Sequence, residues 1–233
     1  MTNVVKLIDH AVLHPTQTSA DVESACALCR EVGVASICVK PSHVALATRL
    51  LAGSSVLPST VIGFPHGGTS TAAKVAETHA ACQDGAREVD MVVNLGAALA
   101  GEWSLVADDI AAVVAAAREH RAITKVIFET GLLPDDATKI KLCELSEAAG
   151  AAFVKTSTGF GFVKGDSGAL TSTGATVADI RLMRGACSPA VQVKASGGIR
   201  SLEDALAMVE AGATRLGTSA TAAIAAGKSG ASY

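Results

Sequence analysis

Two lysines stand at the ends of apolar segments, where a charged side chain is unexpected. Lys155 lies in AAFVKTSTGF, and Lys194 lies in the similar segment AVQVKASGG about forty residues later. A buried ammonium is unfavourable unless it is paired or neutralised, and two neighbouring cations lower each other's pKa. An amine with a lowered pKa is a nucleophile near neutral pH. The pattern favours such an amine; the alternative is that both lysines only reach solvent from strand ends.

An acidic residue occupies another apolar segment, Asp90 in EVDMVVN. If Asp90 points inward, it lies within reach of both lysines and both compensates and tunes their charge. The alternative is a purely structural ion pair. Asp9 and Glu129, near the ends of two further predicted strands, are candidates by the same logic.

Small residues follow the last three predicted strands and indicate an anion site. They are Gly159, Gly197, Gly198, Gly217, Thr218 and Ser219. Backbone N–H groups of such turns can hold a phosphate, although a single glycine pair is more often an ordinary turn.

Strand-like and helix-like segments alternate along the whole chain. The predicted strands are 6–13, 36–39, 56–64, 88–94, 123–130, 151–157, 190–196 and 214–219. The predicted helices are 20–33 with Ser19 as cap, 42–53, 72–84, one within 103–120, 134–149, 175–185, 201–212 with a capping box of Ser201 and Asp204, and 220–226.

Eight such units in 233 residues predict a single α/β domain over 1–233, a closed (β/α)8 TIM barrel. A doubly wound sheet is the rival fold, but it usually carries a glycine-rich turn after its first strand. In a barrel the carboxyl ends of all strands open on one face, so the candidate residues converge there.

Composition excludes several classes of function. The net charge of −3 comes from interspersed acids and bases, which argues against a nucleic-acid partner. No apolar run approaches the roughly 18 residues of a membrane span, and the N-terminus lacks a secretory pattern, so a cytoplasmic, non-membrane protein is expected. Six cysteines are expected to be reduced, buried thiols. The histidines show no metal-ligand spacing, and no GxSxG or Walker motif is present, so no metal and no cofactor are expected.

Several segments together resemble the deoxyribose-phosphate aldolase family. They are IDHAVLHP, SICVKP, VIGFPHG, EVDMVVN, KVIFETGLL, FVKTSTGF, VKASGGIR and the terminal GASY, in the family's order. The resemblance implies a metal-independent class I aldolase that interconverts 2-deoxyribose 5-phosphate with glyceraldehyde 3-phosphate and acetaldehyde. The expected partners are this sugar phosphate and the aldehydes, and a homodimer or a higher homo-oligomer is compatible with the alanine-rich exterior.

The resemblance also implies a role for each matching residue. Lys155 is the Schiff-base amine, Lys194 lowers its pKa, and Asp90 transfers protons. Gly197, Gly198, Gly217 and Ser219 hold the phosphate, and Asp9 and Cys38 lie in the pocket. Tyr233, at the end of a tail (227–233) of mobile composition, is associated with proton transfer.

Two departures from the family and three alternatives belong to this interpretation. Ala11 replaces a threonine that many relatives carry, and the loop 159–174, with Lys164, is longer than usual. The alternatives are another Schiff-base barrel such as a transaldolase-like enzyme, a non-catalytic sugar-phosphate sensor, and an isomerase with Glu129 as base.

Overall fold

Eight parallel strands close into a barrel in a computed structural model that describes residues 4–164 and 168–228. The barrel strands are β1 (Ile8–Val12), β2 (Ser36–Val39), β3 (Leu57–Ile62), β4 (Glu88–Val92), β5 (Ile123–Ile127), β6 (Phe153–Lys155), β9 (Gln192–Ser196) and β10 (Arg215–Thr218). Their spatial order is β1-β10-β9-β6-β5-β4-β3-β2, with β1 and β2 also paired. The predicted TIM barrel is confirmed.

Helices follow the strands and cover the barrel. They are α1 (Ser19–Val32), α2 (Val44–Leu50), α3 (Thr71–Gln83), α4 (Leu95–Leu99), α5 (Trp103–Glu119), α6 (Asp136–Ala149), α7 (Val177–Ala186), α8 (Leu202–Glu210) and α9 (Thr221–Ala225). Short 3-10 turns cover Val4–Leu7, Pro41–His43 and Thr130–Leu132. Valine, isoleucine and alanine side chains from the helices pack on the outer faces of the strands and form the main core.

The sequence predicts the caps of two helices, and the structure confirms one of them. Ser201 caps α8 in the predicted capping box with Asp204. The predicted cap of the first helix is wrong: Thr18 is the N-cap, and Asp21 completes its capping box. Thr18 has extended backbone torsions, whereas Ser19 already belongs to the helix.

Two elements were not predicted. Helix α4 begins directly after β4, where Asn94 accepts a hydrogen bond from the backbone N–H of Ala97. The segment 159–174, for which the sequence predicts a loop, contains an antiparallel hairpin of β7 (Phe162–Lys164) and β8 (Leu170–Ser172). These strands, Phe-Val-Lys and Leu-Thr-Ser, are too short to show the alternation that indicates a strand in a sequence.

The barrel interior departs from the usual filling of branched apolar side chains. Its centre holds charged side chains from six strands: the buried Asp9, Glu88, Asp90, Lys125, Lys155 and Lys194, and the partly exposed Arg215. Phe153 lies among them, with the Arg215 guanidinium 5.0 Å from its ring centroid. No helix in the described residues is long and apolar enough to cross a membrane.

Candidate active site

Lys155 is the last residue of β6 and lies at the carboxyl end of the barrel. Its side chain is 4% exposed and lines the cavity that opens there. Its Nζ donates to Oδ2 of Asp90 on β4 at 2.7 Å. The strand is followed by Thr156, Ser157 and Thr158, and Thr158 lines the same cavity. A nucleophile in this position is reachable by a small carbonyl compound.

Lys194 on β9 is the register partner of Lys155. Its Nζ donates to the same Oδ2 of Asp90, at 2.8 Å, and to Oδ2 of Asp9 on β1. The structure therefore brings the two predicted lysines and Asp90 together, with one carboxylate oxygen between two ammonium groups. Asp90 is fully buried and does not itself line the cavity.

Three further charged residues complete this cluster and were missed in the sequence. Lys125 is fully buried and contacts Glu88 at 2.6 Å, Asp90 at 2.8 Å and Asp9 at 3.3 Å. Arg215 contacts Asp9 at 2.7 Å and Glu88 at 2.9 Å. Lys125 interrupts the apolar segment ITKVIF in the way that Lys155 interrupts its own, so the same rule applied to the fifth strand would have found it.

The two lysines of the prediction differ in electrostatics. Burial lowers the pKa of Lys155, and the charge of Lys194 lowers it further, while Asp90 opposes both. For Lys194 the expectation of a lowered pKa is wrong. Burial again acts to lower the pKa of Lys194, but Asp9 and Asp90 outweigh it and hold the pKa above its usual value. Lys194 therefore stays an ammonium, and Lys155 is the amine whose proton is easiest to remove.

The carboxylates stay ionised for the complementary reason. Burial acts to raise the pKa of Asp9 and of Asp90, but the surrounding cations outweigh it and hold both well below the usual range. For Asp90 these cations are Lys125, Lys155 and Lys194. Ionised carboxylates at both ends of the cluster keep Lys194 charged beside the Lys155 amine.

A cavity of about 560 Å³ lies above this cluster. All the predicted substrate-binding residues line it: Asp9, Cys38, Gly159, Gly197, Gly198, Gly217 and Ser219. Arg200, which follows the glycine pair, also lines the cavity and brings a cation that sequence reasoning did not assign. The volume suits a five-carbon sugar phosphate and not a macromolecule.

Glycine is required by geometry at two of these positions. Gly197 has φ of 86°, in the left-handed region, and a Cβ there would lie 3.0 Å from Cα of Gly174. A Cβ on Gly217 would lie 2.8 Å from Cβ of Ser196 and 3.2 Å from Cε of Lys194. The glycine on β10 thus leaves the space that the Lys194 side chain occupies.

Cys38, Leu13 and Phe160 form an apolar part of the cavity wall. Cys38 packs with Leu13 and Val61, and the Phe64 and Phe160 rings meet edge to face at 5.4 Å between centroids. Burial raises the pKa of the Cys38 thiol, with Asp90 adding to the effect. The thiol at this wall is therefore neutral at physiological pH.

Glu129, the base of the isomerase alternative, does not line the cavity. Its carboxylate accepts hydrogen bonds from the backbone N–H and the hydroxyl of Thr158, and burial raises its pKa. It supports the turn after β6 instead. Lys164 is exposed on the hairpin and also does not line the cavity, whereas Ala11 does.

Two remaining predictions concern Tyr233 and metals. Tyr233 lies outside the described residues, so its proposed part in proton transfer stays a prediction. Within 4–164 and 168–228 no three His, Cys, Asp or Glu side chains are grouped as metal ligands.

The comparisons with known proteins agree with this geometry. Residues 3–233 match the model of the DeoC/LacD family aldolases. The deoxyribose-phosphate aldolase of Carboxydothermus hydrogenoformans is 49% identical over 96% of this chain and 94% of its own length. That of Macrococcus caseolyticus is 50% identical over 94% of this chain and 93% of its own. A solved tetrameric deoxyribose phosphate aldolase from Aeropyrum pernix superimposes with a TM-score of 0.85, at 30% identity, over 96% of this chain and 89% of that one. The chain therefore belongs to the DeoC/LacD family of aldolases.

Proposed function

We propose that this protein catalyses the reversible cleavage of 2-deoxy-D-ribose 5-phosphate to D-glyceraldehyde 3-phosphate and acetaldehyde, through a Schiff base on Lys155. The single observation that carries the proposal is the Lys155 amine, buried at the cavity wall with a lowered pKa and within 2.7 Å of Asp90. The names of the relatives from Carboxydothermus and Macrococcus support the choice of substrate.

The lowered pKa makes the first step feasible. A lysine of ordinary pKa, about 10.4, is neutral in only about one copy in a few thousand at pH 7. The neutral Nζ of Lys155 attacks C1 of the open-chain sugar, and loss of water leaves a protonated imine. The imine draws electrons from the neighbouring bond, so the substrate is prepared for cleavage between C2 and C3.

Cleavage transfers the C2–C3 electron pair to C2, which gives an enamine and neutralises the iminium. The C3 hydroxyl loses its proton, and C3 becomes the aldehyde carbon of glyceraldehyde 3-phosphate. Protonation of the enamine at C2 and hydrolysis of the imine then release acetaldehyde and the free amine. In this proposal Asp90 moves the protons through a water, and the Lys194 ammonium at the cavity wall stabilises developing negative charge.

The phosphate is assigned to the part of the cavity that is lined by the glycines of β9 and β10 and by Arg200. Gly197, Gly198, Gly217 and Ser219 supply backbone N–H groups or small side chains, and Arg200 supplies a positive charge. This arrangement sets the length of the substrate, because the anion and the imine carbon are held at two separate places.

The proposal is tested by incubation with acetaldehyde and borohydride, followed by peptide mass spectrometry. We expect a reduced two-carbon adduct on Lys155 that is absent from Lys155→Met and retained in Lys164→Met, a control at an exposed lysine. Acetaldehyde release from 2-deoxyribose 5-phosphate then measures the reaction itself. An adduct spread over surface lysines, or no release of acetaldehyde, would contradict the proposal.

Assembly and location complete the proposal. The Aeropyrum relative is described as tetrameric, and we assign a homo-oligomer to this chain as well; light scattering during size-exclusion chromatography measures its mass. All six cysteines are buried and unpaired by disulfides, which is typical of a reducing compartment and supports a cytoplasmic location. Cell fractionation tests that location.

A further inference from the structure

The charged side chains inside the barrel form one connected network. Asp90 joins Lys125, Lys155 and Lys194, and Asp9 joins Lys125, Lys194 and Arg215. Glu88 closes the network through Lys125 at 2.6 Å and Arg215 at 2.9 Å. Every charged group is at least four-fifths buried, so the network cannot be screened by water as a surface cluster is.

The formal charges of the network do not balance. In the described residues it contains four cations, Lys125, Lys155, Lys194 and Arg215, but only three carboxylates, Asp9, Glu88 and Asp90. An uncompensated charge in the interior is strongly unfavourable, and a lysine relieves it by releasing a proton. Arginine cannot do so under these conditions.

The contacts decide which lysine releases its proton. Lys125 pairs with three carboxylates and Lys194 with two, whereas Lys155 pairs only with Asp90. The oxygen of Asp90 that Lys155 contacts is also shared with Lys194. The ammonium of Lys155 is therefore the least compensated of the three.

Groups outside the network do not alter this order. Those that face Lys155 are Cys38 on β2, Glu129 after β5 and, at the cavity wall, Arg200. Cys38 is neutral, since burial and Asp90 raise its pKa. The Glu129 carboxylate accepts hydrogen bonds from Thr158, and among the described residues it forms no ion pair with Lys155 within 4 Å, where the partner of Lys155 is Asp90.

We propose that Lys125, Glu88 and Arg215 are positioning residues of the active site. Their combined charge gives the network a net charge of +1 when all its lysines are protonated, and Lys155 is the lysine that loses a proton to remove this excess. This inference rests on the proposed function for its purpose, because a neutral Lys155 is the form that attacks a carbonyl. None of the three lines the cavity, so they act through Asp9 and Asp90 and not on the substrate.

The charge count predicts that removing Lys125 and removing the charge of Glu88 shift the pKa of Lys155 in opposite directions. It also predicts that the two changes together restore that pKa. Lys125→Met balances the network with Lys155 protonated, so the pKa of Lys155 rises by about one unit or more. Glu88→Gln increases the positive excess and lowers that pKa. The double variant Lys125→Met/Glu88→Gln again has one excess cation, and its Lys155 pKa returns towards the native value.

The experiment measures the pKa of Lys155 without using the aldolase reaction. Each variant is labelled with formaldehyde and an amine borane between pH 5 and pH 10, and the rate of methylation at Lys155 is followed by peptide mass spectrometry. The matched control is Lys74→Met, which removes a fully buried lysine that pairs with Asp109 outside the barrel interior. We expect this control to leave the labelling midpoint of Lys155 unchanged.

Opposite shifts in the two single variants and recovery in the double variant support the inference. The inference would be overturned if all midpoints were equal or if the two single variants shifted in the same direction. It would also be overturned if the midpoint of the double variant lay farther from the native value than that of either single variant. If Lys125→Met does not fold, the downward shift in Glu88→Gln decides alone. Acetaldehyde trapping on the native protein reports on the proposed function separately, because the labelling shifts are measured whether or not acetaldehyde forms an adduct.

Discussion

Lys155 and Lys194 are register partners on neighbouring parallel strands, yet their pKa values are shifted in opposite directions, downwards for Lys155 and upwards for Lys194. The difference arises from a carboxylate that only one of them contacts. Lys194 contacts both Asp9 and Asp90, whereas Lys155 contacts Asp90 alone. Adjacent positions on two strands thereby provide a permanent cation and an amine that can be neutral. The predictions below follow from this arrangement and from the walls around it.

Lys194→Met should slow the reaction at pH 7 by about a hundredfold or more, with partial recovery at higher pH. Without its cationic neighbour, Lys155 holds its proton more tightly, since the Asp90 oxygen is no longer shared. The measurement is kcat/KM for 2-deoxyribose 5-phosphate between pH 5 and pH 9. If kcat/KM fell equally at all pH values and the acid limb of its pH profile kept its midpoint, Lys194 would act on a later step only.

Gly217→Ala should reduce kcat at least about tenfold and destabilise the fold by about 1–3 kcal/mol. The added Cβ would approach Cε of Lys194 at 3.2 Å and Cβ of Ser196 at 2.8 Å. Gly185→Ala is the matched control. A Cβ at Gly185, in α7, meets no atom within 4 Å, and alanine is the better helix former. Kinetics and thermal unfolding measure both effects, and equal results for the two variants would disprove the steric argument.

Arg200→Gln should raise KM for the phosphorylated substrate about tenfold or more while kcat changes little. The side chain lines the cavity beside the glycine pair, so its charge acts on the bound anion and not at the imine carbon. Cleavage of unphosphorylated 2-deoxyribose should be nearly unaffected. Arg181→Gln, at an exposed arginine of α7, serves as control. Loss of activity towards both sugars alike would rule out this phosphate contact.

His10 should make the fold less stable as the pH falls below neutral. Burial lowers its pKa to about 4, while an unfolded histidine titrates near 6.5. The unfolded chain therefore binds a proton first, and stability is lost as the pH falls from about 6.5 to about 4. The contribution is about 2 kcal/mol at pH 5 relative to pH 7.5.

Urea unfolding of His10→Asn at the two pH values isolates this contribution. The variant should show a smaller loss of stability at pH 5 than the native protein, since asparagine does not titrate. His66→Asn, at an exposed histidine, should behave like the native protein. An unchanged pH dependence in His10→Asn would mean that the buried imidazole, bonded to Thr221 at 2.8 Å, does not control acid stability.

The elements of the fold could be predicted because their signals are local. Apolar runs such as SICV predict β2 with its observed bounds, Ser36–Val39. The N-terminal capping box of α8, formed by Ser201 and Asp204, is likewise contained in four consecutive residues. The hairpin in 159–174 was missed, since its strands are only three residues long and are paired mainly with each other. A pattern that short carries too little periodicity to indicate a strand.

The meeting of the two lysines with Asp90 could be expected from the sequence, because parallel strands place their carboxyl ends on one face and a charged residue in an apolar strand is unfavourable unless it is paired. The carboxylate that each cation contacts could not be predicted, because it depends on how the barrel closes. Asp9 meets Arg215 across 206 positions of the chain, and this contact exists because β1 pairs with β10 when the barrel closes. Such pairing depends on the register of distant strands, and electrostatic energies between buried charges change steeply with distance. The residues of the site could therefore be predicted from the sequence, whereas the protonation of Lys155 and Lys194 depends on contacts that form only in the closed barrel.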